Sequence, residues 1–359
     1  MDIAFYKKKR ILVTGHTGFK GSWLTLLLTE LGAEVMGISL APKTAKDFYV
    51  VNCLERFCDS HICNILDFTS IQKKITQFQP DLIFHLAAQP LVRYSYANPL
   101  ETYQTNVIGT ANILEVTKNV TSKCAVVVIT TDKVYENKEW NYPYRETDRL
   151  GGKDPYSASK SCVELLVASY QHSFFHPEKF DNHLKTIATA RAGNVIGGGD
   201  WSQDRLVPDI INAINNNSPI IIRNPEAIRP WQHVLEPLYG YLLLGTNLYD
   251  NPKEFSGPWN FGPYPDEVLK VEEVVNNAIS IFGKGIYRVM KNSDAPHEAT
   301  LLKLDISKAL NELHWEPQLK TNEAIAWTLN WYKELFDNPE SILEYSKKCI
   351  HEYLNFFKL

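Results

Sequence analysis

The chain of 359 residues is 44% hydrophobic and 22% charged, with a formal net charge of −4 at pH 7. This composition excludes an intrinsically disordered chain and provides enough apolar residues for one large or two modest cores. The near balance of charge excludes a broad basic surface for nucleic acid or for an anionic membrane. A phosphate-bearing ligand would therefore have to be held by local groups.

The cysteines form no Cys-x-x-Cys pair and do not stand at metal-ligand spacing from a histidine; they are Cys53, Cys58, Cys63, Cys124, Cys162 and Cys349. We expect reduced thiols and no bound metal. The N-terminal segment MDIAFYKKKR lacks the apolar stretch of a signal peptide. No run approaches the roughly 18 apolar residues that span a bilayer. These features predict a soluble, cytoplasmic protein.

The first half alternates β-branched runs with longer amphipathic stretches. Strands are predicted over residues 11–14, 34–40, 82–86 and 125–130, and helices over residues 20–31 and 100–118. Strands that are apolar at every position and separated by helices indicate a parallel sheet covered on both faces. The predicted fold class is therefore α/β, with a doubly wound parallel Rossmann sheet.

Beyond about residue 193 the composition changes. Pro and Gly become frequent, as in GNVIGGGDW, RNPEAIRPW and SGPWNFGPYP, and the regular alternation weakens before two helices predicted over 271–282 and 321–335. We predict a cofactor-binding domain over residues 1–193. A smaller, irregular α/β lobe for the substrate follows over residues 194–359, with some of its chain returning to the sheet.

A glycine-rich loop follows the first predicted strand directly; it comprises Gly15, His16, Thr17, Gly18, Phe19, Lys20 and Gly21. The first glycine permits a tight turn, the second lets the backbone approach a pyrophosphate, and the third lets helix pack on strand. Free N–H groups at the start of the helix then face the anion. The position of this loop, early in the chain and between strand and helix, predicts a dinucleotide cofactor.

Two residues of the loop have alternative interpretations. Lys20 lies in the first helical turn, where its charge opposes the helix dipole. Either it contacts a phosphate, which would offset that cost, or it bends away into water. His16 likewise either contacts the ligand or lines the loop.

The second strand ends Gly37-Ile38-Ser39-Leu40, without the acidic residue that normally binds the ribose 2′-hydroxyl. We predict NAD as the cofactor, with loose binding or some tolerance of NADP.

Tyr156 and Lys160 are four residues apart after Asp154-Pro155, a helix-start signal, so they are predicted to share one helix face. A lysine ammonium beside a phenol favours the phenolate. We therefore expect the pKa of Tyr156 to be lowered, which would make this residue a base. Tyr287 and Lys291 have the same spacing but lie in a β-like run, where they would be far from each other.

A polar segment ends the strand predicted over residues 125–130. In an open parallel sheet, ligands bind at the carboxyl ends of strands, so Thr131, Asp132 and Lys133 are well placed for chemistry. The alternative is that Asp132 and Lys133 form a surface turn pair.

The glycine loop, Thr131-x-x-x-Tyr135 and Tyr156-x-x-x-Lys160 together resemble the extended short-chain dehydrogenase/reductase family over nearly the whole chain. More narrowly, GHTGFKGSWL at 15–24, TDKVY at 131–135 and RPWQHVL at 229–235 are similar to those nucleotide-sugar 4,6-dehydratases of the family that act on CDP-glucose. The resemblance implies CDP-glucose as the substrate and CDP-4-keto-6-deoxyglucose as the product.

The family's reaction implies a role for each catalytic group. Tyr156 would remove the proton of the sugar 4-hydroxyl while hydride passes from carbon 4 to NAD. The 4-keto group then acidifies the proton on carbon 5, water is eliminated across carbons 5 and 6, and the hydride returns to carbon 6. Lys160 would assist Tyr156.

Relatives that act on dTDP-glucose and GDP-mannose carry Glu where this chain has Lys133. An ammonium cannot accept a proton, so Lys133 must be neutral to act as a base. The positive nicotinamide and Lys160 would lower its pKa, whereas Asp132 would raise it. Our hypothesis is that Asp132 protonates the leaving hydroxyl and Lys133 takes the carbon 5 proton.

The resemblance also implies contacts outside the catalytic groups. On the cofactor side these are Asn64, Ile65, Leu86, Ala87, Ala88, Gln89 and Asn106. Asn64 replaces an Asp of the relatives, which puts that contact in doubt. On the nucleotide-sugar side the implied contacts are Arg93, Thr131, Asn194, Arg205, Leu206, Arg223, Arg229 and His233.

Guanidinium groups suit bidentate phosphate binding, although an ordinary surface ion pair is the alternative for each arginine. For His233 the alternative is a structural histidine. The family further implies a homodimer or homotetramer that pairs through two long helices in a four-helix bundle. No nucleic acid or membrane partner is expected.

Other activities remain open. Another dehydratase or a nucleotide-sugar 4-epimerase would share Tyr156 and Lys160, although an epimerase needs no acid–base pair for elimination. A cofactor-sensing regulator of the same fold would typically lack that Tyr and Lys. Residue chemistry does not choose the nucleotide base; only the motif resemblance does.

Overall fold

The computed structural model describes residues 3–290 and 302–357. Its strands are β1 (Arg10–Thr14), β2 (Glu34–Ser39), β3 (Asp59–Ile62), β4 (Leu82–His85), β5 (Cys124–Ile129), β6 (Lys185–Ala192), β7 (Val195–Ile196), β8 (Ile220–Ile222), β9 (Ile228–Arg229), β10 (Gln232–His233), β11 (Gly257–Phe261), β12 (Leu269–Lys270) and β13 (Tyr287–Val289).

The helices of the same residues are α1 (Phe19–Glu30), α2 (Phe48–Val51), α3 (Phe68–Phe78), α4 (Val92–Ala97), α5 (Pro99–Tyr103), α6 (Gly109–Thr117), α7 (Pro155–Ser173), α8 (Phe180–His183), α9 (Leu206–Asn215), α10 (Leu235–Asp250), α11 (Pro252–Phe255), α12 (Val271–Phe282), α13 (Ser307–Glu312), α14 (Thr321–Asp337) and α15 (Ile342–Asn355). Short 3₁₀ turns cover Ile3–Tyr6, Leu54–Arg56, Asp132–Val134, Pro177–Lys179 and Pro339–Ser341.

Seven strands of the described chain form one sheet in the order β11-β6-β5-β4-β1-β2-β3, and every neighbouring pair in it is parallel. The strand order reverses between β1 and β4. In an open parallel sheet the ligand crevice lies at this switch point, outside the carboxyl ends of the strands. The predicted doubly wound α/β class is confirmed.

Helices cover both faces of this sheet, which explains why its strands are apolar at every position. In β1, Ile11 and Val13 contribute to one core and Leu12 contributes to a second core on the opposite face. Successive side chains of a strand point to opposite faces, so both sets must be apolar when neither face meets water. The first core also contains residues of α1, α10 and α14, and the second contains residues of α3, α6 and α7.

The second half of the chain contributes both to the large sheet and to a smaller lobe. β11 pairs with β6 at the sheet edge, and α10 packs on β5 and β6. The pairings β10-β7, β12-β9 and β13-β8 belong to the irregular lobe. The ring of Phe48 lies 4.3 Å from that of Trp23 in α1 and 5.6 Å from that of Trp331 in α14. The lobe is therefore packed directly on the cofactor-loop half.

The helix predicted over residues 100–118 contains a π-helical turn, Gln104–Ile108, between α5 and α6. Such turns occur inside α-helices without ending them, and the prediction of one continuous helix did not include it. Tyr287 lies in β13, in agreement with the predicted β-like run. Lys291, its predicted pair partner, lies outside the described residues.

Candidate active site

The loop between β1 and α1 makes the close backbone approaches that its glycines predict. Gly15 has a φ of +78°, and a Cβ there would lie 2.8 Å from the backbone nitrogen of Ala87. A Cβ on Gly21 would lie 2.0 Å from the carbonyl oxygen of Gly15, so α1 packs directly on the loop. Gly18 precedes Phe19, where α1 begins without a side-chain cap. The N–H groups of the first turn are thus available to an anion.

The side chains of His16 and Thr17 face β2 and β3. His16 Nε2 lies 2.7 Å from Ser60 Oγ, and the imidazole packs against Gly37. Burial lowers the pKa of His16 to about 4, so the ring is neutral. Thr17 Oγ1 lies 2.8 Å from Ser39 Oγ at the end of β2, where an acidic residue is missing. His16 therefore packs on β2 and β3, and its contact with the cofactor stays a prediction.

Lys20 is half-buried and lies within electrostatic reach of charged groups from both halves of the chain. Burial is the main cause that lowers its pKa to about 7, and the positive charges of Arg205 and Lys160 add to this effect. The negative charges of Asp132 and Asp200 act in the opposite direction. Lys20 is thus a desolvated cation between the cofactor loop and the residues expected at the sugar, and an anion beside it would stabilise its charged form.

Four of the predicted cofactor residues follow β4: Leu86, Ala87, Ala88 and Gln89. Asn106, in the π-helical turn, holds this segment in place. Gln89 N donates to Asn106 Oδ1 at 2.8 Å, and Asn106 Nδ2 donates to Gln89 O at 3.1 Å and to Ser159 Oγ at 2.8 Å. Because Ser159 belongs to α7, the Asn106 amide connects the end of β4 to the helix that carries Tyr156.

Asn64 and Ile65 lie after β3. The Ile65 side chain is buried against Gly109, and its carbonyl accepts a hydrogen bond from Asn112 Nδ2 at 3.0 Å. The Asn64 side chain is exposed, and its Oδ1 accepts a hydrogen bond from Leu66 N at 3.0 Å. Ile65 thus has a packing role, whereas a cofactor contact for either residue stays a prediction.

Tyr156 and Lys160 lie on α7, which Asp154 caps by accepting a hydrogen bond from Ser157 N, as the helix-start signal predicts. The Tyr156 hydroxyl is hydrogen-bonded to Thr131. Lys160 Nζ donates to the carbonyl oxygen of Ile129, the last residue of β5, at 3.1 Å. The structure therefore brings the helix face and the strand end together.

The expected lowering of the pKa of Tyr156 by Lys160 is wrong for the described chain. Burial raises the pKa of Tyr156 to about 12, and the charge of Asp132 adds to the rise, while the hydrogen bond to Thr131 opposes it only in part. Lys160 is itself buried, and this lowers its pKa to about 8. The phenolate therefore needs positive charge beyond that of Lys160.

Asp132 is held between Thr131 and the backbone of Gly193. Thr131 Oγ1 donates to Asp132 Oδ1 at 2.9 Å, and a Cβ on Gly193 would lie 2.0 Å from Asp132 Oδ2. Asp132 is only 3% exposed, which excludes the alternative of a surface turn pair. Lys133 is half-buried, and its ammonium forms no hydrogen bond or ion pair with residues 3–290 or 302–357.

Three of the predicted substrate arginines form ion pairs with two aspartates of one loop. Arg205 NH1 lies 2.9 Å from Asp200 Oδ2. Arg93 NH1 and Arg223 NH2 lie 2.7 and 3.5 Å from the same oxygen, Asp204 Oδ1. Each of these three arginines therefore forms the ion pair that was predicted as the alternative to phosphate binding. The three arginines come from both halves of the chain and meet at this one loop.

The remaining predicted substrate residues are more dispersed. Asn194 has a φ of +45°, Leu206 begins α9, and Arg229 lies in β9 opposite Leu269. His233 is buried between the rings of Trp23 and Trp327, at centroid distances of 6.0 and 5.6 Å. Burial lowers the pKa of His233 to about 3. His233 is therefore a neutral histidine of the aromatic core, the second of its two predicted alternatives.

Sequence reasoning missed four residues at this site: Glu164, Gly193, Asp200 and Asp204. Three of them lie in the Gly-rich segment directly before Arg205, so a search for counter-ions of the predicted arginines would have found Asp200 and Asp204. Glu164 stands one helical turn beyond Lys160 on the same face, a spacing that predicts contact.

Residues 3–290 and 302–357 contain neither a cluster of metal ligands nor a membrane-spanning helix. No group of three or more His, Cys, Asp or Glu side chains there is arranged to hold a metal ion. Within the same residues, every helix is too short or too polar to cross a lipid bilayer.

The fold and the crevice together define an α/β enzyme of the extended short-chain dehydrogenase/reductase class. Residues 12–253 match the family model described as GDP-mannose 4,6 dehydratase. The chain is 46% identical over 355 residues to a CDP-glucose 4,6-dehydratase of Salmonella typhimurium, with 99% of each chain covered. It is 24% identical over 341 residues to a UDP-glucose 4-epimerase of Mycoplasma pneumoniae, with 92% of this chain and 98% of that protein covered.

Among solved structures, a dTDP-glucose 4,6-dehydratase of Streptomyces venezuelae with NAD and TYD bound matches with a TM-score of 0.77 and 22% identity, covering 90% of this chain and 97% of that one. This likeness concerns the fold. The chain belongs to the GDP-mannose 4,6 dehydratase family.

Replacement of Lys20 by Met is expected to stabilise the protein without ligands, because it removes a buried cation that lies near two others. The gain in Tm should be about 2–4 °C or more at pH 6. At pH 6, which is below the pKa of Lys20 in the folded chain, the folded state bears the full free-energy cost of burying the Lys20 ammonium. The gain in Tm should shrink as the pH rises from about 7 toward 10.5, the ordinary pKa of a lysine, where Lys20 loses its proton in the unfolded chain as well.

Thermal unfolding followed by circular dichroism at pH 6 and pH 9 measures both effects. Lys73→Met, at an exposed lysine in α3, is the matched control and should leave Tm within about a degree. Equal Tm values for the Lys20→Met variant and the unchanged protein at pH 6 would show that Lys20 is solvated.

Replacement of Gly193 by Ala should displace the carboxylate of Asp132, because the added Cβ would overlap one of its oxygens. A displacement of about 1 Å at a catalytic group costs about 100-fold in rate. We expect that loss in kcat with cofactor affinity unchanged. Gly262→Ala is the control, since its Cβ would lie 3.7 Å from Leu304, an ordinary contact. Turnover by the Gly193→Ala variant equal to that of the control would contradict the position given to Asp132.

Proposed function

We propose that this protein is an NAD-dependent CDP-glucose 4,6-dehydratase, which converts CDP-glucose to CDP-4-keto-6-deoxyglucose. The observation that carries the proposal is the position of Tyr156 beside Asp132 at the carboxyl end of β5, where Lys133 is the next residue, in a chain 46% identical to a CDP-glucose 4,6-dehydratase over nearly its full length. Tyr156 provides the base for oxidation, and Asp132 and Lys133 provide the acid–base pair for elimination.

The residues at the switch point fit NAD. Gly15 and Gly21 leave the backbone approaches that a pyrophosphate requires, and the first turn of α1 offers free N–H groups. The ammonium of Lys20 provides a desolvated positive charge at the same turn. NAD, when bound, takes up a hydride from carbon 4 and gives it back at carbon 6.

Tyr156 takes the proton from the sugar 4-hydroxyl. Burial makes the phenolate form of Tyr156 costly, so its ionisation depends on positive charges nearby. Arg205 lowers the pKa of Tyr156, against the larger effect of burial, and Lys160 lies one helical turn away. Thr131 orients the phenol through its hydrogen bond and fixes Asp132 at the same time.

Elimination of water uses Asp132 and Lys133, which follow β5. Asp132 acts as the acid: its carboxyl proton passes to the hydroxyl of carbon 6, which leaves as water, and its buried carboxyl group is oriented by Thr131 and by the gap at Gly193. Lys133 takes the proton from carbon 5 in its neutral form. Its side chain forms no ion pair within the described residues, so no such contact there holds it away from carbon 5.

The nucleotide end of the substrate is expected at Arg93, Arg205 and Arg223. These arginines come from both halves of the chain and meet at the loop that contains Asp200 and Asp204. Planar guanidinium groups bind a diphosphate in a bidentate manner. The diphosphate would compete with these aspartates for the arginines.

A 4-epimerase is the second candidate, since a UDP-glucose 4-epimerase also matches at 24% identity. An epimerase needs Tyr156 and Lys160 but no proton donor and acceptor for loss of water. The buried position of Asp132 beside Tyr156 favours the dehydratase.

Further properties belong to the same proposal. We infer a homo-oligomer, because Leu100, Ile108 and Leu165, on the α5–α6 stretch and on α7, are 77%, 52% and 62% exposed. Exposed apolar side chains grouped on two helices indicate an interface, and light scattering would measure whether two or four chains associate. We also infer a cytoplasmic location, in agreement with the free thiols of all six cysteines.

Incubation with NAD and each of CDP-, dTDP-, UDP- and GDP-glucose tests the proposed activity. We expect the CDP sugar alone to lose the mass of one water within minutes and to give a 4-keto-6-deoxy sugar. Change of configuration at carbon 4 without mass loss would support the epimerase. Binding of NAD with no turnover of any sugar would favour a cofactor-sensing regulator.

Replacement of Lys133 by Met should stop the reaction after oxidation of carbon 4, because no group would remove the carbon 5 proton. Reduced cofactor should accumulate on the enzyme, and solvent deuterium should not enter carbon 5. Absorbance of the reduced nicotinamide and mass spectrometry in heavy water measure the two effects. Lys153→Met, at an exposed lysine of the neighbouring segment, should retain turnover. Deuterium at carbon 5 in the Lys133→Met variant would refute the assignment of this base.

A further inference from the structure

Glu164 lies on the catalytic face of α7 but has no part in the reaction described above. Tyr156, Lys160 and Glu164 follow one another at intervals of four residues, so their side chains lie along one face of the helix. The Glu164 side chain is 4% exposed. A carboxylate buried to this extent is costly unless charged and polar partners surround it.

The partners of Glu164 come from the two strands under α7. Its Oε1 accepts a hydrogen bond from Thr130 Oγ1, in the residue that follows β5. Its Oε2 accepts hydrogen bonds from Thr189 Oγ1 and from Arg191 NH2 in β6, each at 2.8 Å. The Arg191 side chain is 3% exposed, so the ion pair is fully desolvated.

These contacts connect every element that carries a catalytic group. Thr130 stands directly before Thr131 and Asp132, and β6 leads to Gly193, against which Asp132 packs. On the other side, Lys160 donates to the carbonyl of Ile129, the residue before Thr130. One carboxylate therefore holds the end of β5, the end of β6 and the lysine face of α7 in register.

Glu164 is also the source of negative charge for Lys160. Burial lowers the pKa of Lys160 to about 8, and the charge of Glu164 opposes this effect. The Lys20 ammonium of α1 also acts on Lys160 and disfavours a second cation. His85 at the end of β4 is neutral, because burial lowers its pKa to about 3. The carboxylate one turn away thus favours the ammonium form that Tyr156 requires.

We propose that Glu164 is a positioning residue, whose buried negative charge keeps Lys160 protonated and in place behind Tyr156. The proposal rests on the proposed function. It assigns to the Glu164–Arg191 pair a role in the reaction as well as in packing.

The test is the pH profile of kcat for Glu164→Gln. Glutamine has the size of glutamate and retains a hydrogen-bond acceptor for Thr130, but it lacks the charge. Lys160 should then lose its proton at lower pH, and the fall in kcat on the alkaline side should move down by about one pH unit or more. At a pH on that limb, this shift corresponds to a rate about tenfold lower.

Two further variants separate charge from packing. Glu164→Gln leaves Arg191 without its counter-ion, so the double variant Glu164→Gln/Arg191→Gln removes both charges and guards against misfolding. It should show the same alkaline shift. Thr189→Val removes one hydrogen bond to the carboxylate and retains its charge, so its pH profile should match that of the unchanged protein. Unshifted profiles in both Gln variants, with only a lower Tm, would overturn the proposal.

A double-mutant cycle between Glu164→Gln and Lys160→Met tests the same interaction without substrate. Urea unfolding should show that Glu164→Gln changes the unfolding constant about fivefold more when Lys160 is present than when Met replaces it. Additive effects would contradict the proposal. Absence of dehydratase product with the unchanged protein, together with a coupled cycle, would instead refute the proposed function alone.

Discussion

Burial of Tyr156 sets the main constraint on this active site, because a phenolate in a dry crevice needs positive charge close to it. Its pKa is raised to about 12, far from neutral pH, and the nearest acid, Asp132, adds to the rise. Arg205 opposes the rise, and Lys160 and Lys20 are held nearby with lowered pKa values. A site that brings the cation of Lys20 close to those of Arg205 and Lys160 is unstable by itself, and it is suited to a ligand that brings its own charges.

The three cations named above come from three different segments of the chain. Lys20 comes from the cofactor helix, Lys160 from the catalytic helix and Arg205 from the loop before α9. Buried carboxylates fix two of them: Glu164 lies one turn from Lys160, and Asp200 pairs with Arg205. The glycine-rich loop, α7 and the segment before α9 are therefore coupled by charge as well as by the aromatic packing of α14.

Much of the fold could be predicted from the sequence. Strands apolar at every position predicted a parallel sheet with both faces covered, and the predicted bounds of β1, β2, β4 and β5 differ from the observed ones by a single residue at most. The helices that begin at Val271 and Thr321 were also located correctly. These elements have strong local signals, since each depends on its own pattern of apolar residues.

The site was less predictable, because its energetics depend on residues distant in sequence. The spacing of Tyr156 and Lys160 predicted one helix face, but not that burial would outweigh the lysine's effect on the phenol. The need for glycine at position 193 is apparent only in the folded chain, where the end of β6 lies beside Asp132. The ion pairs of Arg93 and Arg223 with Asp204 likewise form between segments that no local pattern connects.

Positive charge added by the cofactor should make Tyr156 ionisable. Ultraviolet difference absorbance of tyrosinate, recorded against pH with and without NAD, measures this directly. We expect NAD to lower the pH at which one tyrosine ionises, and this tyrosine to be missing from the titration of the Tyr156→Phe variant. Identical titrations with and without NAD, or an NAD-dependent tyrosine that persists in that variant, would contradict it.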